Sequence, residues 1–388
     1  MTDVLIAGIG QVPVGEHWHL SLRQLAYRAY KAALADAGGL KPDALYVGNM
    51  VAAVLSHQAH LGSLIADHVG LRGIEAATIE AGNASGGAAL RMAYLAIASG
   101  QVDVALVLGV EKFTDQVGAS VEAAASIILD SDYEAVQGLT PTGAAALVMQ
   151  RYLHETGAPR AAFAGFAIHA HDHAASNPHA MFRNRIRPEA YEQAGAVCAP
   201  LNMFDVAPWA DGAAALILAR RDRVPEGFAH PLVRVSGSSL VTDRLALHDR
   251  INPLDFSAAR KSVERACCKA GILPQDVNLF ELCDSASVYA ALSLEAAGFA
   301  QPGEGWRLAQ DGTLGLQGSL PVNTFGGWKA RGNPGGATGV YQAVEATLQL
   351  RAQAGPNQVL SPRRAMIQAL SGAAATAVTH IFERLDGA

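Results

Sequence analysis

Ile79-Glu80-Ala81-Gly82-Asn83-Ala84-Ser85-Gly86-Gly87-Ala88-Ala89-Leu90-Arg91 reads as the end of a short strand, a tight glycine turn and the first turns of a long helix. Residues 77–81 suit the strand, and residues 88–99 carry the helical spacing of apolar positions. The pattern returns once: Gly332-Asn333 is followed by Gly335-Gly336-Ala337 and then by a helix-like run over 338–354. Each copy sits in a series of alternating runs. In the first series, strands are predicted at 4–9, 44–50, 77–81 and 104–110, with helices at 20–37, 61–69 and 88–99, and a closing strand at 213–219. In the second, strands are predicted at 232–235, 279–282, 366–370 and 376–382, with helices at 257–270, 287–297 and 338–354. A duplicated α/β unit accounts for this alternation.

Between the two series the character changes. Residues of about 113–200 are richer in His, Asn and Pro, and their helical runs (142–156 and 160–175) do not alternate with strands. They are expected to form an inserted loop domain. The predicted organisation is an N-terminal half over 1–222, carrying this insertion, and a C-terminal half over 223–388. The whole chain has 388 residues, of which 50% are hydrophobic and 16% charged, which argues for a large core and against disorder. The net charge of -6 is spread along the chain, so neither nucleic acid nor an anionic membrane is an expected partner. The four cysteines (Cys198, Cys267, Cys268 and Cys283) are too few and too scattered for a disulfide framework or a metal site. The opening ten residues have no basic leader segment, and the alanine-rich runs are too often interrupted to span a bilayer. A cytoplasmic location is expected. Gly8-Ile9-Gly10 lacks the rest of a dinucleotide fingerprint.

Several segments together resemble the thiolase family, particularly its archaeal-type and sterol-carrier-protein branch. The opening stretch resembles the nucleophile loop, normally Cys-Ala-Ser-Gly-Gly. Asp205-Val206-Ala207-Pro208-Trp209-Ala210-Asp211-Gly212-Ala213 resembles the segment beside the acyl-CoA site. Phe280-Glu281-Leu282-Cys283-Asp284-Ser285-Ala286 resembles the family's Glu-Leu-His-Asp-Ala-Phe. Asn323-Thr324-Phe325-Gly326-Gly327-Trp328-Lys329-Ala330-Arg331-Gly332-Asn333-Pro334 resembles Asn-x-x-Gly-Gly followed by Gly-His-Pro, and Ser371-Gly372-Ala373 resembles the closing glycine loop. The resemblance implies a duplicated five-layered α/β/α/β/α fold and CoA thioester substrates with no permanently bound cofactor. It also implies a homodimer or hetero-oligomer, with a small zinc-ribbon/OB-fold protein or an active thiolase-like subunit as partner. It places Asp211, Gly212, Asn323, Phe325, Gly326 and Gly327 at the substrate.

Within that resemblance the reactive positions are altered. Asn83 stands where the thiolate belongs, Asn333 replaces the histidine of Gly-His-Pro, and Cys283 replaces the histidine before Asp284. A carboxamide nitrogen is delocalised and makes a poor nucleophile. Loss of a nucleophile costs on the order of a millionfold in turnover in a serine hydrolase. Main-chain donors survive any change of side chain. The amides of Asn83 and Gly372 therefore remain candidates to hold a thioester enolate, with Cys283 or Asp284 as base and Asn333 as a hydrogen-bonding group. This arrangement fits an aldolase or retro-aldolase working beside a CoA thioester. A non-catalytic subunit of a hetero-oligomeric acyl-CoA enzyme is the first alternative, because Asn83 also suits a helix N-cap and Asn333 a plain turn. An acyltransferase with Cys283 as a relocated nucleophile is the second.

His169-Ala170-His171-Asp172-His173 invites a zinc reading. On a helix, however, only His169 and His173 share a face. A solvated helix face accounts for the stretch, and no metal is expected.

Overall fold

The computed structural model describes residues 3–385; Met1, Thr2 and residues 386–388, at the ends of the two predicted halves, lie outside that range. The first half runs β1 (Val4–Gln11), α1 (Leu22–Asp36), β2 (Ala44–Gly48), α2 (Leu61–His68), β3 (Glu75–Ile79), α3 (Ser85–Ala98) and β4 (Val104–Glu111). An insertion follows, with α4 (Pro141–Thr156) and α5 (Ala164–Ala174), before β5 (Gly212–Arg220) closes the half. The second half runs β6 (Val233–Thr242), α6 (Ser257–Ala270), β7 (Leu279–Glu281), α7 (Ser287–Ala296), α8 (Gly327–Arg331), α9 (Thr338–Leu350), β8 (Arg364–Ser371) and β9 (Thr376–Arg384).

The strands form one nine-stranded sheet in the order β3-β2-β4-β5-β1-β6-β9-β8-β7. It is really two half-sheets joined at a seam, for β1 and β6 meet through a single backbone pair, Leu5 with Arg234. Both halves have the same plan. β2 is parallel to β3 and β4, and β5 is antiparallel to β4 and β1. Correspondingly, β7 is parallel to β8, and β9 is antiparallel to β8 and β6. The counterpart of β3 in the second half shrinks to one parallel bridge between Val322 and Phe280. Strands β1 and β4 read as continuous apolar runs because both of their faces are covered.

Helices α1 and α2 cover the outer face of the first half-sheet, and α6, with α7 packed beside it, that of the second. Helices α3 and α9 lie between the half-sheets and touch both, which completes five layers, α/β/α/β/α. The repeated glycines permit this crossing. A Cβ on Gly339 would come within 2.4 Å of the Gly87 nitrogen, and one on Gly86 within 2.8 Å of the Gly336 carbonyl. Only hydrogen side chains let two helices approach so closely.

The insertion packs on the second half, where Tyr152, Phe163 and Phe166 join the core made by α6 and α7. It carries a small sheet of its own, Ala196–Cys198 with Leu201–Asn202. The sequence predicts a glycine-rich loop over 323–336, but Gly327–Arg331 is helical. The Asp284 carboxylate supplies the reason: it accepts hydrogen bonds from the first amides of α8, Trp328 at 2.7 Å and Lys329 at 3.4 Å.

The histidine stretch on α5 also differs from expectation. His171 and His173 are buried, not solvated, because α5 packs against α8. His171 lies between Phe182 and Phe204, and His173 Nδ1 is 3.1 Å from the Asn323 carbonyl. Burial depresses the His173 pKa to about 4, so the ring is neutral. No helix of the described residues is long and apolar enough to cross a membrane. Nor do those residues gather three or more His, Cys, Asp or Glu side chains into a metal-holding group.

Candidate active site

The two glycine loops end at the N-termini of the two central helices, so the repeat brings Asn83 and Asn333 to one place. Together with Gly372, from the turn between β8 and β9, they line a small cavity of about 40 Å³. Its walls come from α4 (Thr142, Ala144, Ala145), from the segment before β5 (Val206, Ala207, Trp209) and from the start of α7 (Ser285, Ala286, Tyr289). Arg250 donates to the Ala373 carbonyl and so pins the turn that carries Gly372.

The local geometry at Asn83 is set by its neighbours. Gly82 adopts φ +57, and a Cβ there would lie 2.0 Å from the Ser371 hydroxyl oxygen. Ser85 braces the turn: its Oγ accepts from the Ala81 amide at 2.9 Å and donates to the Gly82 carbonyl at 2.6 Å. Asn83 takes no part in capping. Its side chain is 4% exposed, and its Nδ2 is buried without a hydrogen-bond partner among the described residues. The main-chain amides of Asn83 and Gly372 likewise make no hydrogen bond among the described residues. Asn333 is different. Its Oδ1 accepts from the Gly335 amide at 3.1 Å, as an ordinary asparagine turn does.

Tyr289 is the one titratable side chain lining this cavity. Burial pushes its phenol well above the usual range, the nearby Cys283 and Glu134 raise it further, and Arg250 opposes them. The sequence reading missed this residue. The available signal was spacing, since Ser285 and Tyr289, four apart across the start of a helix, point to one side.

The other residues singled out in the sequence lie elsewhere. Cys283 is buried beside the Ser285 hydroxyl at 3.4 Å, and desolvation pushes its thiol up to about 12. Asp284 faces a separate small cavity with His169 and Asn323, and burial raises its carboxyl to about 6. Asp211 is a knot between loops. It accepts from the amides of Phe113 (2.7 Å), Thr114 (2.9 Å) and His17 (3.0 Å), and from the Thr114 hydroxyl. Gly212 begins β5 beneath the Tyr341 ring. Asn323 Oδ1 holds the Leu282 amide at 2.9 Å. Phe325 is buried, with its carbonyl held by Asn177. Gly326 and Gly327 start α8 against Ala174 and Asp284. Trp209 lines the cavity, while Trp328 lies in the core. Trp209 stacks on Phe113 at 4.7 Å and donates to Glu122 at 2.8 Å.

What this cavity can do is bind oxygen. It presents main-chain and carboxamide N–H groups, the hydroxyls of Thr142 and Ser285 and a phenol, with no charged side chain and no thiol among its lining.

Comparison with known proteins agrees over the full length. Residues 4–195 match the thiolase N-terminal domain and residues 239–384 the thiolase C-terminal domain-like family. The chain is 39% identical over 386 residues to an acetyl-CoA acetyltransferase of Methanothermobacter thermautotrophicus, covering 99% of this chain and 100% of that protein. It is 31% identical to the benzoylsuccinyl-CoA thiolase subunit BbsB of Thauera aromatica, over 95% of this chain and 94% of that one. Its fold superposes on the Ltp2-ChsH2(DUF35) aldolase with a TM-score of 0.81 at 25% identity, covering 98% of each chain. The Acat5 thiolase of Ascaris suum, solved with coenzyme A, superposes with a TM-score of 0.74 at 18% identity, over 99% of this chain and 100% of that one. With both halves matched in order and the relatives aligned end to end, the chain belongs to the thiolase family.

Proposed function

We propose that this protein makes or breaks a carbon–carbon bond beside a CoA thioester without a covalent acyl-enzyme. The observation that carries the reading is the composition of the cavity: an unpartnered carboxamide donor and one phenol, with neither a thiol nor a histidine to activate the hydroxyls of Thr142 and Ser285. In the cleavage direction the Tyr289 phenolate takes the proton of a β-hydroxyl. The Cα–Cβ bond breaks, the β-carbon leaves as an aldehyde or ketone, and the electron pair passes into the thioester. The amides of Asn83 and Gly372 hold the resulting enolate oxygen, and protonation at Cα yields the shortened acyl-CoA. The likeness to an aldolase supports this chemistry, and the names of the acetyltransferase and thiolase relatives support CoA thioesters as the substrate class.

A partner belongs to the proposal. The aldolase likeness is to an assembly with a DUF35 component, and the Thauera relative is named as a subunit. A hetero-oligomer with such a second chain is the expected working form. Acyl transfer is the second reading, favoured by the names of the relatives at 39% and 31% identity. It requires an activated nucleophile, and the lining holds neither a thiol nor a histidine.

The deciding experiment incubates the purified chain, alone and with a co-purified partner, with 3-hydroxyacyl-CoA esters, and separately with 3-oxoacyl-CoA plus free CoA to detect thiolysis. Release of an aldehyde or ketone with a shortened acyl-CoA, and no mass shift of the protein, is the expected result. Thiolysis through a trapped acyl-enzyme would replace this reading with the second one.

A further inference from the structure

A buried amide nitrogen is costly to leave unpaired, and folded proteins nearly always pair it. Four other buried asparagines illustrate the rule. Asn49 Nδ2 donates to Val110 and Glu111, Asn177 to Phe325, Asn202 to Tyr191, and Asn357 to His173 and Thr324. Asn83 is the one asparagine among the described residues whose Nδ2 is buried without a partner. It is not excused by a capping role, for no side chain caps this helix. Its side chain lines the cavity that holds Tyr289.

Resting on the carbon–carbon chemistry proposed above, we infer that the Asn83 carboxamide is a specificity group that donates a hydrogen bond to the β-oxygen of the substrate. The main-chain amides of Asn83 and Gly372 serve the thioester oxygen, so this side chain is left for a second oxygen two carbons away. The position that would carry a covalent bond in a thiol enzyme then reads substrate through a neutral donor. An acyl-CoA without a β-oxygen leaves this donor buried and unpaired, and the site disfavours it.

The test compares 3-hydroxybutyryl-CoA with butyryl-CoA, which differ only in the β-oxygen, by calorimetric titration of the full chain. The wild type is expected to bind the hydroxy ester about three- to tenfold more tightly, the worth of one hydrogen bond. Asn83→Ala and the isosteric Asn83→Asp, which replaces the donor by an acceptor, are expected to bring that ratio to one or below. A circular dichroism spectrum matching that of the wild type reports that each variant is folded. If the wild type binds both esters equally, or either variant keeps the preference, the role of Asn83 is overturned while the carbon–carbon chemistry stands. If neither ester binds, both fall.

Discussion

The guanidinium of Arg331 and the carboxylate of Glu345 lie 2.6 Å apart, and neither side chain reaches solvent by more than 1%. Arg331 ends α8 and Glu345 sits in the middle of α9, so the pair fixes the segment carrying Asn333 onto the central layer. The pair is also incompletely satisfied: Arg331 Nε and Nη2 and Glu345 Oε1 are buried without partners among the described residues. Glu345→Ala leaves the guanidinium uncompensated. It is expected to lower the unfolding free energy by roughly 3–5 kcal/mol in urea titration. The double change Arg331→Met with Glu345→Leu should recover most of that loss. An unchanged midpoint in Glu345→Ala would contradict the assignment.

Glu281, at the end of β7, is the second buried carboxyl in this region. Its Oε1 accepts from Thr324, while its Oε2 has no partner among the described residues. Burial and the neighbouring Glu345 push its pKa up to about 8 from the ordinary 4.5. The folded state therefore holds a proton that the unfolded state releases. This contribution to stability is full below about pH 4.5 and is lost as pH rises towards about 8. Unfolding midpoints across that window should fall more steeply for the wild type than for Glu281→Gln.

Tyr289 gives the catalytic prediction. Its phenol is neutral at neutral pH, facing Cys283 and Glu134 on one side of the charge balance and Arg250 on the other. Cleavage needs the phenolate, so kcat should rise by about tenfold per pH unit on the alkaline side of neutrality. Tyr289→Phe should lose about 10²–10⁴-fold in kcat and flatten that slope, while CoA esters still bind. A slope retained in Tyr289→Phe would assign the base elsewhere.

Cys283 and Asp284 should behave as parts of the architecture. With its thiol held near 12 and buried, Cys283 is expected to take no acyl group from acyl-CoA, as mass spectrometry would show. Alkylating reagents should modify the exposed Cys268 first and leave turnover intact. Asp284→Ala removes the acceptor at the start of α8 and should cost about 0.5–2 kcal/mol of stability, more if the helix unravels. Loss of turnover in folded Asp284→Asn would restore it as a base.

Much of this was open to the sequence. The repeated Gly-Asn and Gly-Gly-Ala segments announce two equivalent strand-to-helix turns, and the structure stacks them glycine against glycine. Asn83, Asn333 and Gly372 were reachable because motif order along the chain predicts which loops converge. Other features were set by contacts distant in sequence. Helix α8 hides in a glycine-rich segment because its first amides are satisfied by Asp284, 44 positions away. His171 and His173 look solvated until α8 covers them. Tyr289 was missed because the phase of a short, almost wholly buried helix shows no polar face in the sequence. The capping alternative for Asn83 could be decided only by finding whether its amide has a partner.

The seam at Leu5 and Arg234 has a further consequence. One backbone rung joins the half-sheets, yet α3 and α9 are each shared by both. The two halves follow one plan, but their shared central helices interlock them. Severing the peptide chain between 221 and 232 should be tolerated if both pieces are present, whereas either piece alone would expose the face of a helix that evolved to be covered.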